Sequence, residues 1–116
     1  MNQEIINILN NGGKCLIIST YEENTNLGIC NYHYSANKIW IESVNYTNVI
    51  ENLKNNSNCI IYITVCDETN IYYLIIRGSA TLSSTEFRTP SLYTMSQKYL
   101  ICISPTDIDL YKEKRR

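Results

Sequence analysis

The spacing of apolar residues predicts two short helices in this chain. Residues 3–9 carry isoleucine and leucine at intervals typical of one helical face, and residues 10–13 (NNGG) tolerate the left-handed conformation at which helices end. A second helical face begins at Tyr46, from which apolar residues recur at i+3, i+4 and i+7 as far as Leu53. Asn45 precedes this face and is a candidate N-cap. Helices therefore account for a small part of the chain.

Runs of β-branched and aromatic residues, separated by polar turns, predict about six strands. The candidate strands are residues 14–20, 27–34, 39–41, 59–66, 71–82 and 99–104, and a final edge segment covers residues 108–112. The predicted turns are residues 22–25, 35–38, 67–70 and 105–106. The order is therefore a helix, a hairpin, a third strand, a helix and a second, longer hairpin.

The character of the later strands predicts how the sheet is closed. Residues 59–66 (CIIYITVC) are apolar on both faces, so the sheet must be covered or closed on itself. Gly78, next to Arg77 in the longest strand, indicates a β-bulge or a bend of a barrel. Pro90 interrupts the region 83–97, although residues 91–98 can form one or two helical turns. A closed antiparallel barrel removes exposed strand edges most simply, so we expect a mainly β fold with two short helices.

The length and charge of the chain restrict its function. At 116 residues we expect one domain, residues 1–116, with a hydrophobic core. The net charge of -1, from 10 basic and 11 acidic residues, does not give the positive electrostatic field that attracts a nucleic acid. The basic residues at 112–116 are expected to form a solvated tail. Because the chain has neither a cationic leader nor an apolar run of the roughly 18 residues that span a bilayer, we expect a cytoplasmic protein without membrane contact.

The cysteines and the histidine give little support to metal or triad chemistry. The chain has five cysteines, which lie far apart and mostly within apolar runs: Cys15, Cys30, Cys59, Cys66 and Cys102. None has the CxxC spacing of zinc ribbons and redox motifs, so we interpret them as reduced, buried, small hydrophobic residues that bind no metal. His33 is the only histidine, and one imidazole assembles neither a triad nor a conventional metal cluster. We expect His33 on the surface of a strand.

The stretch from the third strand into the second helix, residues 39–58, is the candidate ligand platform. Residues 42–45 (ESVN) connect the two elements, and a helix that begins there points free backbone N–H groups outward, beside the hydroxyl of Ser43. Such a helix start is a ready anion site. The alternative is a plain connection in which Tyr46 and Leu53 pack into the core.

The order of these elements, together with two segments, resembles the pyridoxamine 5′-phosphate oxidase-like, FMN-binding split-barrel family. The segment NKIWIESVNYTNVIENLKNNSNCIIYI looks like the family's strand, polar loop, K-x-x-x-L-x-x-N-P-x-V helix and following strand. The segment LIIRGSATL is similar to its I-x-G-x-A strand. The resemblance covers nearly the whole chain and implies a six-stranded antiparallel split β-barrel with two short helices.

The resemblance also implies where a cofactor binds. Family members hold FMN at a dimer interface, and their phosphate lies on a polar loop and helix start that correspond here to Ser43, Asn45, Thr47 and Asn48. The strand that lines the cofactor corresponds here to Asn26, Leu27, Gly28 and Ile29. Thr47 stands where the family usually has its phosphate-binding lysine, and Ser57 stands where it has proline.

Arg77 is the candidate replacement for that lysine. It is the one internal arginine in a predicted strand, and it supplies the missing cation if its side chain faces the barrel mouth. The alternative is an exposed strand arginine that pairs with aspartate or glutamate, which is at least as common.

The function implied by the resemblance is a small FMN-binding protein, an oxidoreductase that acts as a homodimer and in which the flavin carries the redox chemistry. Trp40 and the ten tyrosines can stack on a flavin ring, or equally pack the core and the dimer contact. No residue qualifies as a general acid or base from the sequence, so the catalytic residues and the substrate stay unassigned. The alternatives are a deazaflavin-binding relative and a cofactor-free split barrel used as a binding or assembly module, which the absent lysine favours.

Overall fold

The computed structural model describes residues 2–44, 48–88 and 95–116, of which 43–44, 84–88 and 95–97 are described by their backbone only. The elements in chain order are α1 Gln3–Asn10, β1 Gly13–Tyr21, β2 Asn24–Ser35, β3 Lys38–Val44, α2 Asn48–Asn55, β4 Asn58–Cys66, β5 Asn70–Arg88 and β6 Met95–Lys114. The predicted N-cap Asn45 and the predicted first helical residue Tyr46 lie outside the described residues. No helix in the described part of the chain is long and apolar enough to cross a membrane.

The six strands form one closed antiparallel barrel in the order β1-β2-β3-β6-β5-β4. The ring closes between the first and fourth strands, where Leu16 lies opposite Tyr62 and Ser19 lies opposite Cys59. The prediction of a mainly β, six-stranded antiparallel split barrel with two short helices is therefore confirmed. Closure accommodates the apolar 59–66 strand, because β5 pairs with it along its whole length and β1 pairs with its first half, residues 59–62.

Alternate residues of each strand point into the barrel and form its core. In β1 the inward residues are Cys15, Ile17 and Ser19, and the residues between them are more exposed. Isoleucine dominates the interior, which includes the fully buried residues Ile39, Ile41, Ile61, Ile63, Ile76, Ile101 and Ile103. Each such side chain contributes roughly 1.5–3 kcal/mol when it leaves water, so this layer is the main source of stability.

The two helices cover opposite ends of the barrel. The α1 helix buries Ile5, Ile8 and Leu9, and its Glu4 pairs with Lys112 of β6 at 3.0 Å. It is capped at its start by the Asn2 side chain, which accepts a hydrogen bond from the Ile5 amide at 2.8 Å. The α2 helix packs on β1 and β2 at the other end, close to the seam at which β1 meets β4. The second helix, which is part of the candidate ligand platform, therefore lies against the first two strands.

The predicted bulge in the longest strand is confirmed. The pairing of β5 with β6 shifts register between Arg77 and Gly78. A Cβ atom on Gly78 would lie 2.7 Å from the carbonyl oxygen of Ser104 and 2.9 Å from the Ile103 side chain. The strands therefore approach so closely at the bulge that only glycine fits there.

The last strand corrects three predictions. β6 runs without a break from Met95 to Lys114, so the turn predicted at residues 105–106 and the edge segment predicted beyond it are parts of one strand. Pro105 is tolerated because it lies opposite Gly78, at the bulge, where a ladder hydrogen bond is already disrupted. The helix predicted at residues 91–98 is wrong for 95–98, which are strand; residues 91–94 lie outside the described part.

Two surface predictions also change. The turn predicted at residues 22–25 is shorter, because β2 already begins at Asn24 and only Glu22 and Glu23 connect the strands. The basic residues at 112–116 are exposed, as predicted, but they do not form a free tail, because Lys112 and Lys114 belong to β6. Lys112 pairs with α1, and the Arg115 side chain donates a hydrogen bond to the Asp67 carbonyl at 2.9 Å. These two contacts could not be read from the sequence, because their partners Glu4 and Asp67 lie far away along the chain.

Candidate functional site

The barrel opens where β2 separates from β3. These strands pair only at their shared hairpin, from Tyr32 opposite Ile41 to Ser35 opposite Lys38. The other edge of β3 pairs with β6 from Ile39 to Val44, whereas β3 has no β2 partner beyond Ile41 in the described chain. The earlier half of β2 pairs with β1 alone among the described strands. One edge of β2 therefore borders an opening that exposes the inner face of the barrel wall.

A cavity of about 190 Å³ occupies this opening. Its base is apolar and consists of inward-facing Ile17, Ile41 and Ile101, which come from three different strands. The remaining lining residues come from β2 and from the start of α2: Asn26, Leu27, Gly28, Ile29, Cys30, Asn48 and Val49. The site thus combines an apolar floor with two amide side chains at its rim.

Gly28 determines the width of the cavity. It faces Ile17 across the β1–β2 pair, and a Cβ atom there would lie 3.4 Å from Val49 Cγ2 and 3.6 Å from Ile17 Cγ2. These are ordinary contact distances, so a small side chain would fit but would fill space. The absence of a side chain therefore keeps the wall between β2 and α2 open.

Buried hydrogen bonds hold α2 at the edge of the cavity. The Ser19 hydroxyl donates to the Val49 carbonyl at 3.1 Å, and the Asn52 side chain donates to the Ser19 carbonyl at 3.1 Å and the Asn24 carbonyl at 3.4 Å. Ser19 and Asn52 are the buried polar residues of the described chain. They fix the position of Asn48, four residues before Asn52. Sequence reasoning missed both, although each is a polar residue on an otherwise apolar face.

A wider groove of about 580 Å³ adjoins the cavity on the outer face of the barrel. The two share Ile29 and Cys30 of β2. On the other side of the groove the rings of His33 and Trp40 are stacked, with centroids 6.3 Å apart. His33 is exposed on its strand, as predicted. The cavity and the groove therefore form one continuous recess along β2.

An ion pair stands at the far edge of the groove. Lys98 Nζ lies 3.2 Å from Glu42 Oε2, and both side chains are largely exposed. Surface pairs of this kind contribute at most about 1 kcal/mol. The groove therefore offers one cation and one anion that a ligand can recruit at little cost.

The structure brings together five of the nine predicted site residues. Asn26, Leu27, Gly28, Ile29 and Asn48 line the cavity. Ser43 lies in β3, described by its backbone only, and Asn45 and Thr47 lie outside the described residues.

Arg77 is elsewhere. It lines a different recess, of about 270 Å³, together with Thr20 and Asn58. Its guanidinium donates to Asp109 at 3.1 Å and to Asp107 at 3.3 Å, and the hydrogen bond to Asp109 is the main reason that the pKa of Arg77 is raised. The surface ion-pair alternative is thus the one observed, and Arg77 does not face the cavity.

Solved structures share this architecture at low sequence identity. A protein from Listeria innocua, provisionally named as a pyridoxamine 5′-phosphate oxidase, has a TM-score of 0.71 and 16% identity over 92% of this chain and 94% of its own. A FAD-binding protein from Mycobacterium smegmatis has a TM-score of 0.73 and 16% identity over 99% and 97%. A FAD-binding protein from Mesorhizobium loti has a TM-score of 0.77 and 9% identity over 97% and 95%.

No protein-family model matches the chain, and no curated protein matches it significantly. The similarity to the solved structures nevertheless extends over nearly the whole length of both chains. The chain therefore has the split-barrel fold of pyridoxamine 5′-phosphate oxidase-like and flavin-binding proteins, and the resemblance seen in the sequence is confirmed at the level of the fold.

Proposed function

We propose that this protein is a flavin-binding oxidoreductase that holds FMN in the cavity between β2, β3 and α2. The observation that carries the proposal is the convergence of Asn26–Ile29 and Asn48 on one cavity, although two separate parts of the sequence supply them. Two solved structures with this fold are named as FAD-binding proteins, which supports a flavin over other planar ligands.

The lining residues fit a flavin ring. Its planar, largely apolar surface suits a floor of Ile17, Ile41 and Ile101, and the space left open at Gly28 admits a flat group between β2 and α2. Asn26 and Asn48 provide amide donors and acceptors for the polar edge of the ring or for the phosphate. When bound, the flavin supplies the two-electron redox chemistry. The chain's own residues bind it, orient it and exclude water from its apolar face.

A second copy of the chain completes the site in this proposal. The cavity of about 190 Å³ is smaller than the roughly 300–1,000 Å³ of typical cofactor sites. The adjoining groove is open on the outer face, so a ring that extends into it needs a cover. A homodimer provides that cover.

An exposed apolar face lies beside the cavity and suits such a dimer. Leu27 and Ile29 are 60% and 77% exposed, and both lie on the outside of the barrel. The strand register places apolar residues next to them on β1 and β4. The apolar face thus consists of Leu16, Ile18, Leu27, Ile29, Ile60 and Tyr62. Contiguous patches of this kind mark interaction surfaces.

The cofactor-free assembly module is the second candidate, and the lining of the cavity favours it in one respect. None of the ten lining residues in the described chain is lysine, arginine or histidine. A phosphate carrying close to two negative charges gains about 1.5–3 kcal/mol from each charged hydrogen bond, against about 0.5–1.5 kcal/mol from a neutral one. A cavity with amides alone therefore binds FMN weakly, and a deazaflavin, the third candidate, meets the same limit.

Titration with FMN distinguishes these functions. We expect the purified protein to quench flavin fluorescence saturably, and Gly28→Ala to weaken binding by about tenfold, or about 1.4 kcal/mol, because the new methyl group fills the cavity. Arg77→Ala is the matched control, since it lies in another recess and should leave the affinity unchanged. Absence of saturable quenching by FMN, FAD and a deazaflavin would leave the assembly module as the function.

The role of Thr47 is tested by restoring the family's lysine. If the loop before α2 holds the phosphate, Thr47→Lys should tighten FMN binding by about 1–2 kcal/mol, or roughly ten- to thirtyfold. Riboflavin lacks the phosphate and should gain almost nothing. Titration of both ligands, with circular dichroism to show that the fold is intact, gives the comparison. An equal gain in affinity for FMN and riboflavin would mean that the phosphate does not bind at residue 47.

A further inference from the structure

Two cysteines face each other across β1 and β2 at the edge of the recess. Cys15 and Cys30 lie opposite each other in the antiparallel pair, and their Sγ atoms are 3.7 Å apart. Opposite residues in such a pair have Cα atoms about 4.5–5.5 Å apart, which is within the range of about 4.4–6.8 Å that a disulfide bridges. The backbone is therefore already placed for a bond between the two sulfur atoms.

The two thiols differ in access. Cys15 is 4% exposed, whereas Cys30 is half-buried and lines both the cavity and the adjoining groove. A hydrogen bond donated by the Cys15 thiol lowers the pKa of Cys30, and the same hydrogen bond, together with burial, raises the pKa of Cys15. Cys30 is therefore the thiol that a solute reaches and the one that ionises more readily.

The other cysteines lack such a partner. Cys59 lies opposite Gly78 and Ser19, Cys66 opposite Ile71, and Cys102 opposite Trp40 and Thr81. Tyr32 adds a second unusual group to the pair, because its buried hydroxyl has no hydrogen-bond partner in the described chain, and burial, with a smaller contribution from Cys15, raises its pKa. The pair at the recess is therefore distinct from the three cysteines elsewhere.

We propose that Cys15 and Cys30 form a redox-active dithiol that reduces low-molecular-weight disulfides entering through the recess along β2. The reaction needs no flavin, but Cys30 lines the cavity proposed for FMN, so the reaction is tested on the protein without added flavin.

The reaction has two exchange steps. The Cys30 thiolate attacks one sulfur atom of the small disulfide; the bond between its sulfur atoms breaks, and the departing thiolate takes a proton from water. Cys15 Sγ then attacks Cys30 Sγ in the mixed disulfide and gives its proton to the second departing thiolate. The products are two small thiols and a Cys15–Cys30 disulfide, so two electrons pass from the protein to the substrate.

The test uses glutathione disulfide as the probe and Cys66→Ser/Cys102→Ser as the background, which removes the accessible thiols outside the pair. Denaturing thiol titration should find three thiols before the reaction and one afterwards, because five cysteines less two leave three. Cleavage at Glu22 and Glu23, between the two cysteines, should leave the two fragments joined until a reductant is added. A background protein that keeps three thiols in excess glutathione disulfide would overturn the proposal.

Single substitutions in this background test the order of attack. Cys15→Ser should accumulate a stable glutathione adduct on Cys30, because the resolving thiol is gone. Cys30→Ser should leave Cys15 unmodified in the folded protein, and only urea should make it react. Modification of Cys15 in the folded Cys30→Ser protein would overturn the order. The thiol count of the unsubstituted pair decides the proposal even if a variant fails to fold.

Discussion

At Gly78 the bulge leaves no room for a side chain, so a substitution there should lower the free energy of unfolding. In Gly78→Ala the new Cβ meets the Ser104 carbonyl at 2.7 Å, which is backbone and cannot move aside alone. We expect a loss of about 1–3 kcal/mol in the free energy of unfolding, as for other overpacked sites. Urea unfolding followed by Trp40 fluorescence measures it. Gly28→Ala is the control, with its contacts at 3.4 Å and beyond, and an equal loss in both would contradict the role of the bulge.

Tyr32 makes the free energy of unfolding fall at alkaline pH. Burial, with a smaller contribution from Cys15, raises its pKa from 10.0 to about 12. The folded state therefore keeps the phenol proton while the unfolded state loses it, so the contribution of Tyr32 is fully present below pH 10 and is lost as the pH rises towards 12. At about 1.4 kcal/mol per pKa unit, the full loss is about 2–3 kcal/mol.

Tyr32→Phe removes this dependence. The variant should be at least as stable as the wild type at neutral pH, because the hydroxyl that it removes has no partner in the described chain. The difference between the two proteins should move in favour of the variant between about pH 10 and pH 12. Urea unfolding across this range checks the prediction. A constant difference would show that the phenol titrates alike in both states.

The cysteine pair shows what the sequence could not provide at this scale. A four-residue turn at 22–25 places Cys15 opposite Tyr32, whereas the observed two-residue turn shifts the register and places it opposite Cys30. A difference of two residues in one turn therefore decided whether the thiols meet. By contrast, the family resemblance was enough to place five of the cavity residues, because it depends on the order of residues along the chain and not on strand register. These residues are Asn26, Leu27, Gly28, Ile29 and Asn48.

Among the elements, α2 depends on its buried amide. Asn52→Ala removes the donor to the Ser19 and Asn24 carbonyls, and leaving such groups unpaired costs about 1–3 kcal/mol. We expect hydrogen exchange to accelerate in α2 more than in the strands. Asn55→Ala is the matched control on the same helix, because Asn55 is exposed and bonds only to its own turn, so a change within about 0.5 kcal/mol is expected. Equal effects would mean that packing alone holds α2.

The long β5–β6 hairpin explains why the final third of the sequence was misread. Residues 83–88 and 95–98 are mostly polar and lack clear alternation, yet each lies opposite a residue of the partner strand. Pro105 signals a turn locally, but a bulge in the other strand accommodates it. Cross-strand pairing sets the strand boundaries there, and the local pattern of apolar and polar residues does not predict that pairing.

For the whole molecule, the apolar face predicts a dimer. We expect sedimentation velocity at micromolar concentration to show a dimer for the wild type and a monomer for Ile29→Lys, because a buried lysine in the interface loses its hydration. Tyr111→Lys is the control: Tyr111 is 55% exposed and lies outside the apolar face. A monomeric wild type would remove the shared site from the proposed function.

The seam between β1 and β4 has a consequence for folding kinetics. The β1–β2, β2–β3, β4–β5 and β5–β6 pairings are hairpins that can form from neighbouring segments. The β3–β6 and β1–β4 pairings join distant segments, and the seam between β1 and β4 is the shorter of these two, with four opposed pairs from Leu16–Tyr62 to Ser19–Cys59. The chain must lose the conformational entropy of the long intervening loop before the seam can form. We therefore expect ring closure to come late in folding and the seam to be among the first parts of the wall to open. Such opening beside α2 would give a ligand a second route to the interior of the barrel.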